Sequence, residues 1–152
     1  MLGIPALMVN CQVFPTHILK PSDVLMFKSY IEISSGRALS YPEIIERNLW
    51  SGATANYFAE RDIQVEENTP EDLTAATLEM IARLEGTFEV SAEIDTRFRK
   101  IGQDLEANVL PNMPLEDLHD ISPYSRMFSF AGDWNNICQS YCDAHPEYLG
   151  TT

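Results

Sequence analysis

Glu67, Asn68 and Thr69 lie between the alternating segment Ile63-Gln64-Val65-Glu66 and a helix-start signal at Pro70. A carboxylate, an amide and a hydroxyl placed there suit a phosphate or a sugar hydroxyl. The first turn of a helix offers free N–H groups and partial positive charge. Glu67 or Asn68 would hold a ribose or sugar hydroxyl. Thr69, with Pro70 after it and Asp72 three residues on, also reads as plain helix capping. Lys28 closes the apolar run Val24-Leu25-Met26-Phe27 and would serve a diphosphate as a point cation. Its plainer reading is a solubilising charge at a strand end. Asn10 closes the run Ile4-Pro5-Ala6-Leu7-Met8-Val9 in the same manner.

Other reactive residues give less. Cys138, Cys142 and His145 are spaced to share a helix face, but zinc wants a fourth ligand and tighter Cys spacing. Two small core residues and a helix-end His explain them better, so no metal is expected. His17 and His119 have no partner nearby in sequence, and no Ser-His or Cys-His arrangement emerges. G-x-G-x-x-G, G-x-x-x-x-G-K-[ST] and H-E-x-x-H are all absent.

The elements that must position these residues follow from pattern. Residues 4–9 form an unbroken apolar run, as a buried parallel strand does, and residues 23–28 form a second. Ser40, Pro42 and Glu43 start a helix, and 49–60 allow another, weakened by Gly52. Residues 63–66 alternate as a short strand. From Pro70 to Glu85, Leu73, Ala76, Thr77, Met80, Ile81 and Leu84 share one helical face, and Gly86 ends it. That face predicts Leu73, Met80, Ile81 and Leu84 in the core. A helix over 88–109 would bury Val90, Ile94, Phe98, Ile101 and Leu105, a Pro-containing connection spans 110–125, and a short helix falls within 134–144. The order is that of an α/β domain with a mainly parallel sheet. Ligands meet such sheets at the C-terminal ends of strands, where Asn10, Lys28 and Glu66–Thr69 stand. A buried strand so near residue 1 implies that the chain opens partway through its own fold.

Charge narrows the partners. The 152 residues carry a net charge of −13. Residues 1–59 hold four acids and four bases, whereas 60–120 hold 16 acids and five bases. Most of those acids read as solvated helix surface. The balance excludes a nucleic-acid or anionic-membrane partner and directs an anionic ligand to the first third. No run approaches the ~20 apolar residues of a transmembrane segment. Three Cys and no basic leader predict free thiols and a cytoplasmic location.

The ordered series Gly3-Ile4-Pro5, Asn10, Asp23 to Lys28, Gly36 to Ile44, Glu67 to Leu73, Glu79-Met80 and the ending His145-Pro146-Glu147-Tyr148-Leu149 resembles the C-terminal region of a family of predicted bacterial glycosyltransferases of surface-polysaccharide biosynthesis. The resemblance spans most of the chain and is weak over 87–135. It implies a GT-B-like enzyme of two Rossmann-like domains, with the donor in the C-terminal one. Residues 1–86 would then be a donor-side, partial Rossmann-like portion truncated at its N-terminus. Residues 87–152 would be a helical C-terminal extension packing back on it. A nucleotide-sugar donor and a glycan acceptor are implied as partners, with no separate cofactor. Asn10, Lys28, Glu67, Asn68 and Thr69 are the implied donor-site residues, and no catalytic base is implied. A non-catalytic binding or regulatory module on the same fold is the alternative.

Overall fold

Val24–Phe27 (β2) is buried along its whole length and forms the middle of a parallel three-stranded sheet. The computed structural model describes residues 5–12, 22–51, 54–104 and 136–150. Leu7–Cys11 (β1) lies on one side of β2, with Leu7 opposite Val24 and Met8 opposite Leu25. Asn136–Ile137 (β6) lies on the other. Burial on both faces explains why β2 reads as an unbroken apolar run. The first apolar run, expected to be the buried centre, is instead half-buried with Val9 exposed, and among the described residues it stands at the edge of the sheet.

A second sheet is antiparallel. Ser29–Glu32 (β3) follows β2 after Lys28 alone and pairs with both Arg37–Ala38 (β4) and Ile63–Glu66 (β5). A mainly parallel sheet, as expected, would set β5 parallel to β1 and β2; instead Ser29 faces Glu66 and Glu32 faces Ile63 in antiparallel register with β3. The described residues form a mixed α/β fold with one parallel and one antiparallel three-stranded sheet, not a mainly parallel sheet. Residues 87–152, expected as a helical extension, supply β6 to the parallel sheet.

Tyr41–Glu46 (α1) starts where expected. The Glu43 carboxylate takes the Ser40 N–H and hydroxyl, each at 2.9 Å, and also the Arg37 guanidinium through two bonds of 2.9 and 2.8 Å. A 3-10 turn at Leu49–Ser51 and Ala55–Ala59 (α2) replace the single helix expected over 49–60. Pro70–Glu85 (α3) has the expected bounds, with Thr69 capping it and Gly86 closing it at φ 71°, the left-handed conformation glycine adopts freely. Ala92–Asp104 (α4) and Gln139–Ala144 (α5) follow. The stretch expected as a connection over 110–125 lies outside the described residues, as does Leu105.

The face of α3 differs from the expected one. Asp72, Ala76, Glu79 and Met80 are buried, whereas Ile81 and Leu84 are 45% and 60% exposed. The cause is α5, which packs along α3 and presents polar groups to two carboxylates. Glu79 accepts the Gln139 and Ser140 N–H groups at 3.2 and 2.7 Å and so caps α5. Arg83, one turn on, donates its Nε to Glu79 at 2.9 Å. Burial works to raise the Glu79 carboxyl, but the bonds from Ser140, Gln139 and Arg83 prevail and hold it below its ordinary value. Phe98 of α4 joins Phe27 and Tyr41 in an aromatic cluster, with ring centroids 6.3 and 5.2 Å apart, while Val90 stays exposed.

Candidate functional site

Three segments of chain meet at the C-terminal ends of β1 and β2. Asn10 takes a left-handed conformation, φ 52°, where the register between β1 and β2 shifts. Asn tolerates that region better than most residues with a side chain. The turn aims Asn10 at Asn68, which follows β5. The Asn10 N–H donates to Asn68 Oδ1 at 2.9 Å, and the Asn68 N–H donates to Asn10 Oδ1 at 2.6 Å. Asn68 Nδ2 then donates to the Phe27 carbonyl at 2.7 Å. One buried amide thus ties β1, β2 and the start of α3 together. Because β5 is antiparallel to β3, its exit returns to the rim at which β2 ends. The rim therefore forms although β5 belongs to the antiparallel sheet and not to that of β1 and β2.

All five sequence-derived positions lie on this rim. Lys28 follows β2, donates its N–H to the Cys11 carbonyl at 2.8 Å, and places Nζ 3.5 Å from Glu67 Oε1. The Lys28 side chain is 24% exposed and that of Glu67 73%. Such a pair contributes little to stability, so a competing anion displaces it at small cost. Thr69 caps α3: its hydroxyl donates to Asp72 Oδ2 at 2.7 Å and accepts the Asp72 N–H at 3.1 Å.

Chemically, the rim presents an ammonium, the Glu71 N–H in the first turn of a 16-residue helix, an exposed carboxylate and one spare amide; Pro70 has no N–H, and those of Thr69 and Asp72 are bonded within the capping box. The spare group is Asn10 Nδ2, which makes no hydrogen bond among the described residues; both oxygens of the Asn10–Asn68 pair are used internally. The capping interpretation of Thr69 holds, and Asn68 acts as a fastener whose two amide atoms are engaged within the protein.

Sequence reasoning gave Asp72 only a capping role and His145 only a place at a helix end, and did not pair them. Asp72 Oδ1 lies 2.9 Å from His145 Nε2. Burial works to raise the Asp72 carboxyl, but hydrogen bonds from His145 and Thr69 outweigh it and hold the group below its ordinary value. Their only sequence signal was weak: a helix-end His and an Asp in the first turn of a helix.

Cys138 and Cys142 are buried, as small core residues are. Burial pushes the Cys138 thiol up to about 11 and raises Cys142 as well, which removes both from thiolate chemistry. Among the described residues no three His, Cys, Asp or Glu side chains are grouped to hold a metal ion, and no helix is long and apolar enough to cross a membrane. Comparison of the chain with protein-family models, with curated proteins and with solved structures finds no match.

Proposed function

We propose that this rim is the donor-side site of a glycosyltransferase of surface-polysaccharide synthesis, one that receives a nucleotide-sugar and passes its sugar to a glycan acceptor. The observation that carries the reading is the convergence of Asn10, Lys28 and Glu67–Thr69, from three separate stretches of chain, at one strand-end rim onto which α3 opens. In this reading Lys28 exchanges Glu67 for the diphosphate. The Glu71 N–H at the start of α3 and Asn10 Nδ2 supply further donors. Glu67, released and exposed, takes a ribose or sugar hydroxyl. The contribution of these groups to transfer is to stabilise charge on the departing diphosphate and to orient the sugar.

A panel of nucleotide-sugars, read by thermal shift on the wild type and on Lys28→Ala, tests the proposal. A ligand present at 100 times its Kd adds about 2.7 kcal/mol to the folded state. One member of the panel should raise the melting temperature of the wild type and leave Lys28→Ala nearly unmoved. Equal shifts in both proteins, or none from any nucleotide-sugar, sink the reading.

A further inference from the structure

Leu78, Ile81 and Leu84 stand 62%, 45% and 60% exposed on the side of α3 turned from the core. Thr74 and Thr77 add no polar demand there, because their hydroxyls donate to the Pro70 and Leu73 carbonyls of the same helix, each at 2.7 Å. Near the start of α3 an open hollow of about 380 Å³ is lined by Pro70, Glu71, Thr74, Ala75 and Leu78. A hollow of this kind seats a large apolar side chain brought from outside. Contiguous apolar exposure marks an interaction surface.

Acids frame the stripe. Glu71, Leu78 and Glu85 recur at a seven-residue interval and so fall on one line along the helix. Both glutamates are exposed, and at 1.5 Å per residue they stand about 21 Å apart. Every exposed charged side chain between Pro70 and Ser91 is a glutamate: Glu71, Glu85 and Glu89. The one cation of that stretch, Arg83, is turned inward. Its side chain is 14% exposed, an Nη atom lies 2.8 Å from Glu79 Oε1, and the guanidinium lies over the Phe88 ring at 4.6 Å. Asp72 and Glu79 are buried on the opposite side, where they hold His145 and α5.

Charge decides what covers such a face. Packing α3 on the α3 of a second copy sets Glu71 against Glu85 in the antiparallel sense, and each glutamate against its own equivalent in the parallel one. Like charges oppose in both. Residues 105–135 of the chain hold five acids and one base, so they supply no complement either. We infer that the exposed face of α3 receives a basic amphipathic helix of a partner protein. Its apolar side rests on Ala75, Leu78 and Ile81, and its Lys or Arg residues meet Glu71 and Glu85. About four turns of partner helix span the distance between the two glutamates. The surface is separate from the donor site: Asn10 and Lys28 take no part in it, so the two stand or fall independently.

The probe is a synthetic helical peptide of about 18 residues with Leu on one face and Lys on the other. It is titrated into the full chain and followed by amide NMR. Shift changes should centre on Thr74, Ala75, Leu78, Ile81 and Leu84. A peptide with Glu in place of each Lys should bind at least about tenfold more weakly, and raising the salt from about 0.05 to 0.5 M should weaken the Lys peptide by a similar factor. Leu78→Ala with Ile81→Ala should also cost about tenfold. The peptide exchange and the salt series need only the wild-type protein, so a folding defect in the double variant does not blunt the test. Changes centred elsewhere, equal binding of the Glu peptide, or no binding at millimolar peptide overturn the inference. So does a dimer of the free chain that Leu78→Glu dissolves, which would assign the face to a second copy. Methyl contacts from Leu78 and Ile81 to residues 105–135 in the free chain would assign it to the chain itself, with the same result.

Discussion

Asn10 and Asn68, 58 residues apart, each donate a main-chain N–H to the side-chain oxygen of the other, at 2.9 and 2.6 Å. The exchange fixes the exit of β1 against the entrance of α3, and Asn68 Nδ2 adds the end of β2. Asn68→Ala leaves the Asn10 N–H and the Phe27 carbonyl without partners near the interior. The expected loss is about 2–4 kcal/mol, since each stranded group costs about 1–3 kcal/mol. Urea unfolding measures it, and a loss under about 0.5 kcal/mol would show that the fastener carries no weight.

At Asn10 the backbone conformation and the side-chain bond make separate demands. Gly meets the first, Ala neither, and a β-branched residue adds strain at φ 52°. Stability should fall in the order Asn, Gly, Ala, Val. Thermal melts of the four proteins give the order, and Val equal to Gly would contradict the assigned conformation.

Glu79 is the polar centre of the α3–α5 contact. Its side chain is 1% exposed, and it receives the first turn of α5 and the Arg83 guanidinium. Glu79→Ala strands a half-buried cation and the N–H groups of Gln139 and Ser140. The expected cost is about 3–5 kcal/mol, with amide exchange over residues 136–150 rising first. By contrast Leu84→Ala, on the exposed side of the same helix, should cost under about 0.5 kcal/mol, and Ile44→Ala, fully buried, about 2–5 kcal/mol. If Leu84→Ala matched Ile44→Ala in chemical denaturation, the assigned face of α3 would be wrong.

Much of the fold was legible in the sequence, for local reasons. Thr69, Pro70 and Gly86 set the ends of α3; Ser40, Pro42 and Glu43 set the start of α1; the apolar run 24–27 gave β2; alternation gave β5. The clustering of Asn10, Lys28 and Glu67–Thr69 was legible because each follows an extended segment. Pairing was not. Nothing local distinguishes a strand that joins β1 from one that joins β3, and Ser29–Glu32 directly after Lys28 hid the change of sheet. The buried side of α3 was missed because Asp72 and Glu79 read as solvated charges. Their partners, His145 and Ser140, come from 73 and 61 residues away. Period gives a stripe; long-range hydrogen bonds choose which one is buried.

Acid should loosen the molecule through these same carboxylates. The Arg37 guanidinium, together with bonds from Ser40, holds Glu43 down to about 2, and Asp72 and Glu79 are also lowered. A carboxyl depressed on folding gives stability that is present above its unfolded value, near 4.5 for Glu43, and is lost as pH falls through the folded one. Stability should therefore decline from about pH 5 towards pH 2. Glu43→Gln should make that decline shallower. An unchanged slope in a series of denaturation curves over this range would remove Glu43 as a contributor.

The donor-site assignment is tested most directly by amide NMR of the full chain titrated with UDP-glucose. Shift changes should concentrate at Asn10–Cys11, Lys28–Ser29 and Glu67–Asp72, with His145 following, and should weaken sharply in Lys28→Ala. Changes centred on the exposed side of α3 at Leu78, Ile81 and Leu84, or no changes at saturating ligand, would contradict it.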